Sequence, residues 1–260
     1  MRLSIKALEI LADHLPNWSR RLLDYLYPPR CGVCDTFWEQ PICPSCREGW
    51  EFVEPPYCLW CGQPFPKVPQ PSPLCGQCLR GRFRFDGARP AVRYSGVGRQ
   101  TIHSLKFRRK ARLAIPMGQV MADLLVRMLQ KDNGLLPEPW QTPEIIVPVP
   151  LHPKVYRLRG FNQAEHLARE VAKGSCAAIE TDIVVQARLT RSQATLSASE
   201  RWDNVRGAFA VTRPELVKGK TILVIDDVMT TGATVNEIAR VLKEAGAQRV
   251  YVIAFARGQV

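Results

Sequence analysis

Nowhere do 260 residues assemble anything near the ~20 consecutive apolar residues that a membrane-crossing helix needs. The first residues also lack the unbroken apolar run of a secretory signal, because Lys6, Glu9 and Asp13 interrupt it. The expected setting is therefore the cytoplasm, with no membrane span. The complete Gly-x-x-x-x-Gly-Lys-Ser/Thr of a Walker loop is missing, because Pro214 stands where Gly219-Lys220-Thr221 would need the first glycine, and this excludes that mode of nucleotide binding. No segment stands out as a reader of nucleobases. Acids are nearly absent from 80–112, where eleven Lys or Arg stand against one carboxylate, Asp86. A stretch so short of carboxylates attracts polyanions by counterion release. Phe83, Phe85, Tyr94 and Phe107 are interleaved with those cations. Either the rings stack bases of single-stranded DNA, or they point into a core and leave a solvated basic face.

Eight of the nine cysteines fall in Cys-x-x-Cys pairs: Cys31/Cys34, Cys43/Cys46, Cys58/Cys61 and Cys75/Cys78. Two such knuckles supply the four thiolates of a tetrahedral zinc shell. Gly32 or Gly62 lies beside two of the pairs, where knuckle turns favour glycine. Disulfides are the rival, but nothing marks secretion, and thioredoxin-like chemistry needs a single pair on a βαβ unit. Two structural zinc ions are expected. Sequential pairing puts one on Cys31, Cys34, Cys43 and Cys46 and the other on Cys58, Cys61, Cys75 and Cys78; a crossed pairing also satisfies the spacing. Cys176 stands alone.

The chain divides by pattern. Residues 1–27 carry Leu and Ile near helical spacing, with Pro16 separating two short helices. Residues 28–80 form the metal module, whose loop with Pro64, Pro66, Pro69, Pro71 and Pro73 is irregular. So small a module cannot bury enough surface alone, and metal supplies the missing stability. Residues 81–260 form the larger domain. Strand-like residues and a helix are expected over 84–107. An amphipathic helix follows through Met117, Val120, Met121, Leu124, Leu125 and Met128, ending at Asp132-Asn133-Gly134. From 144 to 257 strand, loop and helix alternate: strands at 145–149, 183–185, 222–225 and 250–254, helices around 164–171 and 235–245. Such alternation implies an α/β fold with a parallel sheet covered on both faces.

Two loops in this region carry chemistry. After the strand at 145–149, a basic stretch brings Lys154, Arg157 and Arg159 toward a helix start, and arginine forks match phosphate oxygens. The strand at 222–225 ends in Asp226-Asp227. Thr230-Thr231-Gly232-Ala233-Thr234 then leads into a helix. First-turn amides without partners and the positive end of the helix dipole favour a phosphate there. Paired carboxylates would repel the phosphate itself, but they suit sugar hydroxyls with a metal nearby. The 192–209 segment is polar and lacks sustained periodicity, as a mobile loop would.

The stretch 221–234 resembles the phosphoribosyl pyrophosphate (PRPP) motif of type I phosphoribosyltransferases. That resemblance implies their fold. It also implies that Asp226 and Asp227 bind the ribose hydroxyls and that the 230–234 loop holds the 5′-phosphate. Lys154, Arg157 and Arg159 would then face the pyrophosphate, with Mg²⁺ accompanying PRPP. In such an enzyme Asp226 and Asp227 fix the sugar, and Arg157 and Arg159 stabilise leaving-group charge. A mobile loop closes over the site.

The similarity extends further. The Cys-x-x-Cys pairs, Leu105-Lys106-Phe107, the Pro148-Val149-Pro150-Leu151-His152-Pro153 run and Arg159-Gly160-Phe161-Asn162-Gln163-Ala164 all resemble the ComF family. So do Gln193, Leu196-Ser197, Glu200-Arg201, Asn204-Val205 and Ala208-Phe209. Arg109 stands where many members carry glycine. Membership implies a role in DNA uptake during natural transformation, or in the use of external DNA. It implies a competence helicase and other DNA-processing proteins as partners. The expected function is a phosphoribosyltransferase with an unidentified acceptor. The alternative is a non-catalytic zinc-containing adaptor that binds DNA or protein and uses the fold as scaffold or PRPP sensor.

Overall fold

A computed structural model describes residues 28–66, 73–81, 83–130, 140–191 and 196–258. The helices expected over 1–27, Pro69 and Pro71 of the irregular loop, and Gln193 lie outside these residues. In chain order come α1 (Pro44–Glu48), α2 (Gly76–Leu79), β1 (Gly87–Arg93), α3 (Gly96–Phe107), a 3₁₀ turn (Ala111–Leu113) and α4 (Ala114–Leu129). Next are β2 (Ile145–Pro148), α5 (Pro153–Arg159), α6 (Gln163–Ala172), β3 (Ala178–Ile179), β4 (Val184–Gln186) and α7 (Ala198–Val205). The chain closes with β5 (Phe209–Val211), α8 (Pro214–Val217), β6 (Thr221–Met229), α9 (Ala233–Glu244) and β7 (Arg249–Arg257).

Five strands form a parallel sheet in the order β1-β7-β6-β2-β3. Its central strands are apolar on both faces because helices cover both. Along β6, Ile222 and Val224 face one core with Val235, Ile238 and Leu242 of α9. Leu223 and Ile225 face the other, with Met117, Met121 and Leu125 of α4 and Leu167 of α6. That alternation is the two-residue period of a strand. Among the described residues no helix is long and apolar enough to cross a membrane.

Several expectations shift. The helix expected to reach Asp132 stops at Leu129. The strand at 183–185 becomes β4 and pairs antiparallel with β5 in a separate ribbon; the fifth strand of the main sheet is the two-residue β3, too short to show a period. The basic stretch 153–159 is not a loop but α5, with Pro153 in its first turn and the His152 ring accepting from the Lys154 amide. The polar segment 192–209 is helical over α7, started by a capping box between Ser197 and Glu200. In addition, β6 continues four residues past 225, through both acids.

The cysteine-rich module is joined to the sheet rather than tethered beside it. The Val53 amide donates to Ala91 O at 2.9 Å, Arg93 N to Glu51 O at 2.7 Å and Ala88 N to Trp60 O at 2.7 Å. These bonds occupy the free edge of β1, which would otherwise be a template for pairing with another chain. Gly62 has φ of 66°, and a Cβ there would come within 2.4 Å of Pro90 Cδ, so this knuckle packs against the strand only as glycine. Cys31, Cys43, Cys46 and Trp50 share a core with α4, while Cys58 and Cys61 share the other with β1 and α9. The Trp50 indole donates to Thr101 Oγ1 at 3.0 Å and meets Phe255 edge-on at 5.1 Å.

A shared core predicts one cooperative unit. Metal analysis of the purified protein should return two zinc ions per chain, one for each cysteine tetrad. Removing them with a chelator should lower the midpoint of sheet unfolding followed by far-ultraviolet circular dichroism. Trp50→Ala should cost about 3–5 kcal/mol, as large aromatic deletions do. Separate transitions, with the sheet's midpoint unmoved by chelation, would contradict this coupling.

Candidate functional site

The register of β6 carries its acids past the end of β2. Pairing with β2 ends at Pro148 opposite Ile225, and the Val149 amide closes it on Ile225 O at 2.9 Å. Asp226 and Asp227 therefore lie just beyond the end of β2, still paired with β7 on their other side. This is the crevice at the carboxyl end of a parallel sheet.

Both acids are buried, and Asp227 is only 2% exposed. The Asp227 amide donates to Asp226 Oδ1 at 2.8 Å, and Gln163 Nε2 at the start of α6 donates to Asp227 Oδ1 at 3.1 Å. Lys106 Nζ, from α3, lies 2.5 Å from Asp227 Oδ2 as an ion pair that falls outside hydrogen-bond geometry. Arg159 donates to Gln163 Oε1 at 2.5 Å, so α5 reaches the acids through Gln163. Asn162 fixes this corner by donating to Val149 O at 3.0 Å and capping α6 at the Ala164 amide. Burial, and then the neighbouring Asp227 charge, push the Asp226 carboxyl well above the usual carboxylate range; Lys106 acts against that rise.

The residues after β6 form the second half of the site. Gly232 has φ of 80° and begins α9 without a side-chain cap of its own, at the positive end of the helix dipole. A Cβ on Gly232 would lie 3.0 Å from Phe83 Cε1 and from Met229 Cε. Thr231 is buried and its hydroxyl accepts from the Ala233 amide at 3.4 Å, while Thr230 and Thr234 are half-buried. An acid pair and an uncapped helix start, a few residues apart on one strand–loop–helix unit, can hold a diol and a phosphate of one molecule.

The structure thus brings Asp226, Asp227, 230–234 and, through Gln163, Arg159 together. Lys154 and Arg157 are exposed on α5 and form no ion pair with either acid. Gln163 and Lys106 complete the surroundings of Asp227; Lys106 was legible as a lone basic residue between Leu105 and Phe107, but nothing local to either announced the contact.

The basic segment is not one face. Arg89 is buried, donating to Ala88 O at 2.8 Å and Leu59 O at 2.7 Å, and Phe83 and Phe85 are buried and stacked on each other at 4.7 Å. They cannot stack bases. Phe107 is 65% exposed, with His103 at 4.8 Å and the Arg159 guanidinium 6.0 Å from its ring. Tyr156 and Leu158 of α5 are exposed as well, and Arg109 donates to Leu158 O at 3.0 Å. Arg109 has φ of 55°, so the tight turn that glycine would favour is kept by an arginine.

The cysteines gather sequentially, in the tetrads Cys31, Cys34, Cys43, Cys46 and Cys58, Cys61, Cys75, Cys78. Sulfurs about 2.3 Å from one zinc ion stand ~3.8 Å apart in a tetrahedron. Here Cys34–Cys43 is 3.7 Å, Cys61–Cys75 3.7 Å and Cys58–Cys78 3.5 Å, too long for disulfides and fitting a shared ion. Amides of Val33 and Cys43 donate to Cys31 Sγ, and that of Cys75 to Cys58 Sγ. Cys176 is exposed and apart from both.

Comparison with known proteins agrees with both halves. Residues 22–79 match the double zinc ribbon domain family, and residues 158–259 the phosphoribosyl transferase domain family. DNA utilization protein YhgH of Escherichia coli is 32% identical over 216 residues, 83% of this chain and 90% of that protein. Competence protein F of Haemophilus influenzae is 30% identical over 218 residues, again 83% and 90%. Competence protein ComFC of Streptococcus pneumoniae is 37% identical over 114 residues, 43% of this chain and 47% of its own.

The buried acid pair has a cost that can be measured. Asp226 binds its proton more tightly in the folded chain than in the unfolded one, so stability falls as pH rises from about 4, the ordinary aspartate value, through the raised folded one. Asp226→Asn removes that penalty and keeps the acceptor for the Asp227 amide. The thermal midpoint at neutral pH should rise, by about 2–4 °C for each kcal/mol relieved. The gain should vanish below pH ~4, where the aspartate is protonated in both states. An equal or lower midpoint at neutral pH would show that the pair is not strained.

Proposed function

Since the chain belongs to the family of DNA utilization protein YhgH and competence protein F, with a type I phosphoribosyltransferase fold behind a double zinc ribbon, we propose that it binds PRPP at the end of β6 and acts in handling imported DNA. The observation that carries the reading is the buried Asp226–Asp227 pair beside the uncapped start of α9. The carboxylates accept the two ribose hydroxyls. Amides and hydroxyls of 230–234 take the 5′-phosphate, whose charge the helix end favours. Lys106 exchanges its ion pair with Asp227 for the incoming anion, which frees that carboxylate for the sugar. Arg159 lies on the pyrophosphate side, and Lys154 and Arg157 extend that positive field along α5. A Mg²⁺ ion bound with the pyrophosphate, whose hard oxygens suit it, would neutralise charge on that group. If an acceptor is ribosylated, Arg157 and Arg159 stabilise the departing charge.

For the DNA, the reading relies on the exposed Phe107 and Tyr156, with the exposed Arg108 and Arg109 following Phe107 and the exposed Lys154 preceding Tyr156 along the chain, and on the Arg159 guanidinium 6.0 Å from the Phe107 ring. An aromatic ring among cations is how single strands are bound without base readout. The same surface supports the second reading, a non-catalytic adaptor or PRPP sensor. Pyrophosphate release in the presence of an acceptor separates the two. A competence helicase is the protein partner to test by co-purification.

Asp226→Asn combined with Asp227→Asn should abolish PRPP binding while the fold persists. Hydrogen bonds to charged groups contribute about 1.5–3 kcal/mol each, so the loss should be roughly a hundredfold or more in calorimetric titration. Parental affinity in the double variant would remove the ribose role.

Phe107→Ala with Arg108→Glu and Arg109→Glu should weaken binding of a fluorescent oligo-dT at least tenfold and flatten its salt dependence. Unchanged affinity would move the DNA surface to the ribbons.

A further inference from the structure

Arg257, near the end of β7, is 3% exposed and touches two sites at once. Its Nη1 donates to Met229 O at 3.1 Å and to Thr230 O, the carbonyls that begin the phosphate loop. Its Nη2 faces Cys61 Sγ at 4.0 Å, and its Nε has no partner. A buried guanidinium needs compensating charge. Four thiolates on one divalent cation retain a negative surplus, and they stand where Arg257 can use it. Other struts run the same way. The Gly258 amide donates to Met229 O at 3.0 Å, and Phe83, which follows the second ribbon, abuts Gly232. Among the described residues the first tetrad has no such link. Gly32 beside it packs on Leu113, 2.8 Å from where its Cβ would be, in the core that lines α4.

We propose that Arg257 is a positioning residue through which metal on the second tetrad, Cys58, Cys61, Cys75 and Cys78, sets the conformation of the 229–232 loop. Metal supplies the anionic cluster that holds one side of the guanidinium. The other side then holds the two carbonyls in the arrangement that turns the loop amides toward a phosphate. Without metal nothing holds the four sulfurs together, the guanidinium loses the cluster on that side, and Arg257 leaves the loop carbonyls. The two ribbons therefore differ in role: the first supports α4, the second shapes the ligand loop. The consequence for PRPP rests on the binding reading above; the effect on the loop does not.

The test uses the full, zinc-loaded chain and its variants Arg257→Met, Arg257→Lys, Cys78→Ser and Cys34→Ser. Metal content, amide hydrogen exchange of peptides covering 228–234, and titration with PRPP and Mg²⁺ are measured together. Arg257→Met should keep both metals, exchange the 228–234 amides at least tenfold faster and leave α4 peptides unchanged. Arg257→Lys, which keeps the charge but not the fork, should fall between it and the parent and covers the case in which Arg257→Met does not fold. Cys78→Ser should lose one metal and speed the same amides, and adding Arg257→Met to it should add nothing. Cys34→Ser should lose one metal and leave those amides as in the parent. Unchanged exchange in both Arg257 variants, or equal effects of Cys34→Ser and Cys78→Ser on the loop, would overturn the proposal. If the parent shows no PRPP binding but the exchange pattern holds, the ligand reading fails and the coupling stands.

Discussion

Two adjacent carboxylates in a nearly dry crevice are hard to keep, and much of the molecule is arranged around that difficulty. Their like charges oppose each other, and burial opposes both. What makes the arrangement tolerable is a set of partners from separate elements: donors on the backbone of β6 itself and on Gln163 of α6, and the Lys106 cation of α3. Each partner is fixed by its own element, so the acid pair depends on the sheet, α3 and α6 assembling together. A charge held under such repulsion is poised for exchange. On the proposed reading, hydroxyls of a sugar donate to the carboxylates and take over part of the work that these donors do.

The cysteine-rich module solves a different problem for the same sheet. A parallel sheet whose edge strand is β1 would present free amides and carbonyls, and the ribbon backbone takes them. That joint also explains the burial of Arg89 and Arg257. Arg89 ties β1 to the ribbon carbonyl of Leu59, and Arg257 ties β7 and the 229–232 loop to the sulfur cluster. The second cysteine tetrad, the edge strand and the 229–232 loop are therefore neighbours, although they are far apart in sequence.

Much of this was legible in the residues. The Asp-Asp and Thr-Thr-Gly run fixed the strand–loop–helix unit because each residue type there has a local reason. The Cys-x-x-Cys spacing led to two tetrads, and the structure selects the sequential pairing between the two that spacing allowed. What could not be read was set by distant partners. Lys106 and Gln163 meet Asp227 only after α3 and α6 pack on the sheet. The burial of Phe83, Phe85 and Arg89 inside a strongly basic segment follows from the ribbon lying over β1, which no periodicity in 80–112 encodes. Helices α5 and α7 were missed for another reason: both are short and polar, so their signals were caps, Pro153 and the Ser197–Glu200 box, rather than an apolar stripe.

The account turns on whether the end of β6 takes a phosphorylated ribose. Calorimetric titration of the zinc-loaded chain with PRPP and Mg²⁺, run beside titrations with pyrophosphate and with ribose 5-phosphate, tests this most directly. The account predicts saturable binding at one site per chain, tighter for PRPP than for either fragment, because the acid pair, the loop and the basic helix each hold a different part of it. Absence of saturable heat with PRPP, or equal affinity for pyrophosphate alone, would contradict it.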